Sequence, residues 1–411
     1  MDYTNWKRNI IVFLSSQTVS LFGSSLVQYA IMWHITLTTK SGMMMTLFIL
    51  CGFIPTFILS PFAGVWADRY NRKMLIIVSD GLIAFATLVM AIIFLMGYES
   101  IWLLFVVAAI RAVGSGIQGP AVGAILPQIV PEDKLTKING INGSIQAITM
   151  FASPMVSAAL LTMATLETIF FIDVVTAVIA IGTLLFFLKI QVHAKASEAQ
   201  TTSYLTDFKA GLVYINNHAF LKKFFLFFAL FFILMAPAAF LTPLQVTRSF
   251  GDDVWRLTAI EIAFSVGMMV GGAIIASWGG FTNKVHTMAI ASIVMGICTM
   301  ALGAIPIFWA YLLFMAIFGM AMPVFNTPTT VLIQERVDSD YLGRIFGVFG
   351  MIATSMMPIG MLIFGPLADV VKVEWILFGT GLFMVVLALI LGRDKVLLKA
   401  GEPVVIPEST D

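Results

Sequence analysis

Twelve apolar runs divide this chain, and they constrain its fold more than any other feature of the sequence. Each is long enough to cross the roughly 30 Å of hydrocarbon in a bilayer as a helix. Of the 411 residues, 60% are hydrophobic and 11% are charged, a composition that excludes a soluble domain of this size. We therefore predict an all-α, multi-pass membrane protein with spans at 9–37, 42–66, 74–97, 101–128, 138–163, 167–189, 220–247, 255–278, 286–305, 307–333, 344–369 and 373–392.

The positive charges of the loops predict the orientation of these spans. With the N-terminus in the cytoplasm, eighteen Lys and Arg residues fall on the inner side, and only Lys40, Arg248, Arg256 and Lys372 fall on the outer side. Cytoplasmic loops of membrane proteins carry the excess of Lys and Arg. Because the number of spans is even, both termini are expected in the cytoplasm.

The segment 64–73, GVWADRYNRK, is a short charged break between two apolar runs. It contains one acid, Asp68, and three bases, Arg69, Arg72 and Lys73. These charges cannot lie in hydrocarbon. The segment is therefore expected to be a tight loop at the membrane surface, and its excess of positive charge places it on the cytoplasmic side.

A second copy of this segment indicates an internal repeat. A shift of 212 positions places Asn71 on Asn283 and Asp68 on Gly280, so that the second copy lacks the acid. A shift of 207 positions aligns 133–140 with 340–347 in the same manner. Parallel six-helix repeats in transporters place a substrate site near the membrane midplane between the halves, and this site is reached from each side in turn.

The longest inner segment separates the two halves. Within it, Leu205, Phe208, Leu212 and Ile215 recur at helical spacing, which favours a short helix on the membrane surface, with a solvated linker as the alternative. The polar tail after Arg393 is expected to be disordered. The predicted organisation is an N-terminal six-helix bundle, a cytoplasmic linker, a C-terminal six-helix bundle and a cytoplasmic tail, at 1–190, 191–219, 220–393 and 394–411.

The segment 64–73 resembles the Gly-x-x-x-Asp-Arg-x-x-Arg-Arg/Lys signature that joins helices 2 and 3 in the major facilitator superfamily, with Asn71 in place of the usual Gly. The resemblance implies twelve transmembrane helices in two pseudo-repeated six-helix bundles. It also implies that Asp68 faces the N-terminus of helix 11, where a carboxylate is favoured, and helps to hold an inner gate closed; a solvated loop acid is the alternative. The residues expected to act in gating and conformational coupling are Gly64, Asp68, Arg69, Arg72 and Arg344.

Further segments extend the resemblance along the chain. Residues 111–116, RAVGSG, are similar to the Arg motif of helix 4. Four further segments are similar to the macrolide-efflux branch of the bacterial twelve-helix drug:proton antiporters; they are 131–139, 171–173, 260–264 and 341–346. The glycines of the helix-5 antiporter motif are missing around Ser153 and Pro154, which leaves the direction of transport open.

Four charged residues lie deep within the predicted spans, where a charge costs several kcal/mol and indicates a functional site. They are Arg111, Glu261, Asp80 and Asp173, and we consider all four as candidates for proton coupling. The family fold places helices 4 and 8 around the central cavity, so the resemblance favours Glu261, with Arg111 as a group that biases its proton exchange. The alternative for these two is a fixed ion pair. For Asp80 and Asp173, pairing or capping between helices is the favoured interpretation.

Intramembrane amides and adaptable apolar side chains are candidates for contact with the substrate. Met and aromatic surfaces adapt to varied apolar ligands. Many such residues will simply face lipid or the protein core. The residues expected to line the substrate cavity are Gln28, Gln118, Gln146, Asn326, Met235 and Phe240.

These observations predict a secondary transporter that exports amphipathic small molecules, such as macrolides, in exchange for protons. The alternative within this class is an exporter of a physiological solute such as a siderophore or metabolite. The sequence contains no His-x-x-x-His pair, no Gly-x-Ser-x-Gly and no Walker sequence, so neither an enzyme nor an ATP-driven pump is expected. No metal, cofactor or nucleic acid is expected. The protein is predicted to be a monomer in the lipid bilayer of the bacterial inner membrane.

Overall fold

The computed structural model describes residues 5–188, 213–338 and 341–403, without the side chains at 60, 61, 68, 132 and 136. The predicted surface helix of the linker lies outside these ranges except for 213–217, which are helical. The other α-helices of the described ranges are α1 (Trp6–Thr39), α2 (Gly42–Arg69), α3 (Arg72–Leu95), α4 (Ile101–Ile129), α5 (Leu135–Met163), α6 (Leu166–Phe187), α7 (Ala219–Phe240), α8 (Thr242–Ser249), α9 (Val254–Trp278), α10 (Lys284–Ala304), α11 (Phe308–Arg336), α12 (Leu342–Val370), α13 (Val373–Leu391) and α14 (Lys395–Ala400).

The twelve predicted spans are confirmed. Twelve helical segments of the described ranges are long and apolar enough to cross a bilayer, and α7 and α8 together form the seventh of them. The two helices of this span are separated at Leu241, between Pro237 inside α7 and Pro243 in the first turn of α8. A proline removes a backbone donor and starts a helix well, so the two residues explain both the break and the new start.

The helices repeat at the two predicted offsets. α3 and α10 begin 212 residues apart, at Arg72 and Lys284, and each is capped by the preceding Asn. The Asn71 side chain accepts a hydrogen bond from Met74 N, and the Asn283 side chain accepts one from Val285 N. The later helices α4, α5 and α6 begin 207 residues before α11, α12 and α13.

The chain divides into two compact units. The first is formed by Met1–Thr39 and Leu47–Thr201, and the second by Lys40–Thr46 and Thr202–Asp411. The division thus falls in the linker, and also inside α2, whose first turn belongs to the second unit.

In the first unit, α1 packs on α5 and α6, and α3 packs on α4 and α6. Because the helices are apolar over most of their surface, the few polar side chains between them must find partners among one another. The Thr56 hydroxyl of α2, for example, donates to the carbonyl of Ala112 in α4 over 3.1 Å. This packing brings the charged residues of α3, α4 and α6 together.

In the second unit, α9 packs on α11, α10 packs on α11 and α13, and α7 packs on α12. The approach of α9 to α11 requires glycine at Gly267, where a Cβ would lie 1.9 Å from the carbonyl oxygen of Ala316. A buried cluster of phenylalanines joins α7 to α11; its members are Phe224, Phe228, Phe231 and Phe325. The ring centroid of Phe325 in α11 lies 5.2 Å from that of Phe228 and 5.0 Å from that of Phe231.

The expectation of a disordered tail is wrong for residues 395–400, which form α14. The Asp394 side chain caps this helix by accepting hydrogen bonds from Val396 N (2.9 Å) and Leu397 N (3.2 Å). Arg336 at the end of α11 donates to the carbonyl of Ala400 over 2.7 Å. Capping and this tether supply the partners that a short helix needs to form.

Candidate functional site

Arg111 and Asp173 form a buried ion pair in the first unit. The guanidinium of Arg111 in α4 contacts a carboxylate oxygen of Asp173 in α6, and the two side chains are 6% and 1% exposed. The Thr87 hydroxyl of α3 donates to the same carboxylate over 3.1 Å, and Arg111 also donates to the carbonyl of Ser24 over 3.0 Å. Both charges are thus compensated, and the pair fastens four helices to one another. The interpretation of Asp173 as a pairing residue between helices agrees with this geometry.

Asp80 lies in a second buried polar cluster of the same unit. Its Oδ1 accepts hydrogen bonds from the Ser20 hydroxyl (2.7 Å) and from the Gln118 amide (2.8 Å). The residue is 2% exposed, and its Oδ2 has no hydrogen-bond partner in the described ranges. Gln118 is one of the residues predicted to line the substrate cavity, and in this structure its amide binds Asp80.

Glu261 in α9 lies in the second unit and is half-buried. No hydrogen bond or ion pair joins its carboxyl to another residue of the described ranges. Thr258 and Ser265 are on the same helix face, three residues before it and four after it. A carboxyl in an apolar helix, free of a countercharge and flanked by hydroxyls, is a candidate for reversible protonation.

The candidate cavity residues have different environments. Gln28 in α1, Gln146 in α5 and Asn326 in α11 are exposed, although each belongs to an apolar span. Phe240 is half-buried. Met235 is 2% exposed and packs inside the second unit, so its side chain contributes to the core there.

The loop between α2 and α3 is tight, since only Tyr70 and Asn71 separate the two helices. Arg72 donates to the carbonyls of Ala67 (2.9 Å) and Ala124 (2.8 Å), and so ties the loop to α4.

The other residues expected to act in gating lie around this loop and at the start of α12. Gly64 is half-buried and Arg69 is exposed, whereas the side chain of Asp68 lies outside the described part of the chain. Arg344 in α12 lies over the Tyr341 ring at 5.4 Å.

One group of polar contacts is not predicted by the sequence. In the second unit, Asp369 at the end of α12 accepts hydrogen bonds from Ser41 Oγ (2.8 Å), Gly42 N (2.7 Å) and Met43 N (3.0 Å). Arg248 of α8 also binds Asp369, at 3.0 Å, and donates to the carbonyl of Lys40. Acids and bases at the ends of apolar spans are common, and nothing in the sequence pairs these particular ones.

Known proteins resemble this chain over most of its length. The Major Facilitator Superfamily profile matches residues 9–361. Macrolide efflux protein A of Streptococcus pyogenes is 30% identical over 391 residues, which cover 94% of this chain and 96% of that protein. Macrolide efflux protein A of Enterococcus faecalis is 31% identical over 314 residues, or 76% of this chain and 97% of that protein.

A solved structure supports the fold. A mutant of the nucleoside transporter NupG superposes with a TM-score of 0.72 at 17% identity, and the match covers 94% of this chain and 99% of that one. At this identity the likeness concerns the fold alone.

Proposed function

The chain belongs to the major facilitator superfamily, and on that premise we propose that it exports amphipathic small molecules, macrolides among them, in exchange for protons. Its relatives are transporters and not enzymes. The name of the Streptococcus pyogenes protein, whose match extends over 94% of this chain, supports both the substrate class and the outward direction. The two-fold repeat supports alternating access, in which two six-helix halves expose one site to each side in turn.

The observation that carries the proton-coupling part of this proposal is the unpaired carboxyl of Glu261. Among the four intramembrane charges, Arg111 and Asp173 neutralise each other, whereas Glu261 is half-buried without a partner in the described ranges. When water reaches Glu261, the carboxyl exchanges its proton; when water is excluded, the neutral form is favoured. Alternating hydration therefore moves one proton inward for each substrate exported.

The exposed amides support a polar contact surface for the substrate. Gln28, Gln146 and Asn326 are exposed on apolar spans, and an amide that faces lipid leaves its polar groups without partners. These side chains are therefore expected to face water and to hydrogen-bond the polar groups of an amphipathic substrate. Phe240, half-buried in the second unit, supplies apolar contact.

We place the protein in the bacterial inner membrane with both termini in the cytoplasm. The charge asymmetry of the loops supports cytoplasmic termini, and the bacterial relatives support the inner membrane. A monomer in the lipid bilayer meets the needs of this mechanism, since the repeat supplies both halves within one chain.

The test is uptake of a radiolabelled macrolide, erythromycin, into inside-out vesicles with and without an imposed pH gradient. We expect the parent to concentrate erythromycin only when the gradient is present. Glu261→Gln fixes the neutral form, so this variant should equilibrate erythromycin but not concentrate it. The matched control is Asp252→Asn, an exposed acid in the loop before α9, and it should behave as the parent does.

Two outcomes would contradict the proposal. If Glu261→Gln responds to the gradient as the parent does, another residue carries the proton. If the parent transports no macrolide, a panel of compounds tested on an efflux-deficient bacterium that expresses the protein would identify a different solute.

A further inference from the structure

The buried polar residues of the first unit form two layers along the same helices. The first layer contains the Arg111–Asp173 pair, with Ser24 and Thr87. The second contains Ser20, Asp80 and Gln118. On α1, Ser20 lies four residues, or about one turn, from Ser24. On α3, Asp80 lies seven residues, or about two turns, from Thr87, and the same spacing separates Gln118 from Arg111 on α4. Seven residues of helix correspond to about 10 Å.

The two layers differ in charge balance. In the first, the base and the acid neutralise each other. The second contains one carboxyl, that of Asp80, and no base. A buried carboxylate without a countercharge costs several kcal/mol, so Asp80 needs a positive ligand or a proton.

The surrounding charges do not compensate Asp80. The two helices packed on α3 carry three charged residues, which are Arg111 in α4 and Glu167 and Asp173 in α6. The titratable residues of α1 are Lys7, Arg8, Tyr29 and His34. Arg111 is bound to Asp173, and Glu167 and the residues of α1 lie two or more turns from this layer along their helices. On α3 itself, Arg72 donates to backbone carbonyls of Ala67 and Ala124, and Lys73 to those of Leu185 and Leu188. Each nearby base is therefore already occupied.

The hydrogen bonds distinguish a proton from a metal cation. Ser20 and Gln118 both direct donors at Oδ1 of Asp80, and Oδ2 is buried without a partner in the described ranges. A cation such as Na⁺ would bind the oxygen lone pairs of these side chains, not their donors. A carboxylic acid fits, because Oδ1 is then the carbonyl that accepts both bonds and Oδ2 carries the hydrogen.

We propose that Ser20, Asp80 and Gln118 form a second proton site, in the first unit, so that each unit carries one exchangeable proton. The proton binds Oδ2 of Asp80 from water and returns to water, and Gln118 is the half-buried member of the site, whereas Ser20 and Asp80 are buried. This inference rests on the proposed proton-coupled export, and it adds a second proton to each cycle.

Proton number is measured in proteoliposomes with the membrane potential clamped at zero. The accumulation ratio of radiolabelled erythromycin is followed as the pH gradient is varied. Each coupled proton multiplies this ratio by about ten for each pH unit. The slope of the logarithm of the ratio should therefore be about two for the parent and about one for Asp80→Asn.

The outcomes separate this inference from the proposed function. A parent slope of zero would contradict proton-coupled export itself. A parent slope of about one that Asp80→Asn leaves unchanged would overturn the second site and leave the proposed function intact. Asp80→Asn retains an acceptor for both Ser20 and Gln118, which favours folding of the variant.

A second measurement does not depend on that variant. Infrared spectroscopy of the purified protein in lipid should show the carbonyl band of a protonated carboxylic acid that persists in Glu261→Gln. Ser20→Ala removes one donor from the carbonyl oxygen, so it should shift this band to higher frequency. The assignment would be overturned if no carboxylic acid band is seen, or if Ser20→Ala leaves the frequency of that band unchanged.

Discussion

The backbone amide of Gly42, at the start of α2, donates a hydrogen bond of 2.7 Å to the carboxylate of Asp369, at the end of α12. Met43 N and Ser41 Oγ donate to the same carboxylate. A helix N-terminus presents unpaired amides and a partial positive charge, so a carboxylate there is well placed. Asp369 therefore fastens the first turn of α2 to the second unit, whereas the rest of α2 belongs to the first.

We expect Asp369→Ala to release the first turn of α2. Loss of a capping carboxylate costs about 1–2 kcal/mol, which corresponds to a change of about tenfold in the fraction released. Thr46, which is 1% exposed and bonded to the carbonyl of Met361, reports this release. Maleimide labelling of Thr46→Cys, in a background without Cys51 and Cys298, should become about tenfold faster.

The matched control for this measurement is Asp252→Ala. Asp252 pairs with Lys40 in the same region, but both side chains are about half exposed, and exposed pairs contribute little. Labelling at position 46 should therefore be unaffected. Equal rates in Asp369→Ala and the parent would show that Asp369 does not hold this turn.

The Arg111–Asp173 pair should be structural. Removing one partner leaves a buried uncompensated charge, so Arg111→Met alone should destabilise the protein by about 3–5 kcal/mol. The double variant Arg111→Met with Asp173→Leu removes both charges and should recover most of that loss. Thermal unfolding in detergent measures both. A double variant no more stable than the single one would assign the pair a role beyond charge compensation.

The sequence predicted the spans and the repeat because both depend on local composition. Hydrophobic length determines a span. The repeat shows in the sequence as matching positions such as Asn71 and Asn283, and the structure shows that both cap helices. Partner choice is different. These helices are apolar nearly all round, so no periodic face of the sequence shows that Gln118 binds Asp80. Attachment of residues 40–46 to the second unit depends on contacts with Arg248 and Asp369, more than 200 residues away.

Asp394 should stabilise α14 in a pH-dependent manner. Burial raises the pKa of its carboxyl, but hydrogen bonds from Lys223 and from the amides of Leu397 and Val396 outweigh burial and hold the pKa below its ordinary value. Because the pKa of Asp394 is lower in the folded protein than in the unfolded chain, its carboxylate stabilises the fold at any pH above the unfolded-state pKa. This stabilisation is lost as the pH falls through the folded-state pKa. We expect Asp394→Ala to cost about 1 kcal/mol at neutral pH.

Thermal unfolding of parent and variant between about pH 7 and pH 3 checks this expectation. The difference between them should begin to shrink below about pH 4, the ordinary pKa of an Asp carboxyl, and should shrink further as the pH falls through the lowered pKa of Asp394. Asp133→Ala, which removes an exposed loop acid, serves as the control and should unfold as the parent does. A difference that stays constant with pH would assign the effect to packing.

The loop between α2 and α3 is expected in the cytoplasm. Tyr70 is 59% exposed and is not the N-cap of α3, so Tyr70→Cys reports accessibility without loss of the Asn71 cap. In a background without Cys51 and Cys298, an impermeant maleimide added to intact cells should leave Tyr70→Cys unlabelled. Asp252→Cys, on the expected outer side, should be labelled. The reverse pattern would invert the topology.

Asp68→Asn should nearly abolish transport while expression and folding remain as in the parent. The resemblance to the family signature assigns this acid to the inner gate, where a carboxylate at a helix N-terminus contributes up to about 2 kcal/mol. The corresponding residue of the second copy is Gly280, which has no side chain and adopts a φ of +86°, a conformation that glycine adopts readily. The acid function is therefore expected only at Asp68.

Folding should survive the Asp68→Asn change because other residues hold the loop. Arg72 bonds to Ala67 and Ala124, and Asn71 caps α3. Erythromycin export from cells should fall to below about a tenth of the parent rate, the loss that about 1.4 kcal/mol produces. Asp133→Asn, an acid in the loop before α5, is the control and should retain the parent rate. Undiminished export by Asp68→Asn, with the control also active, would remove Asp68 from the gate and leave the loop with a purely structural role.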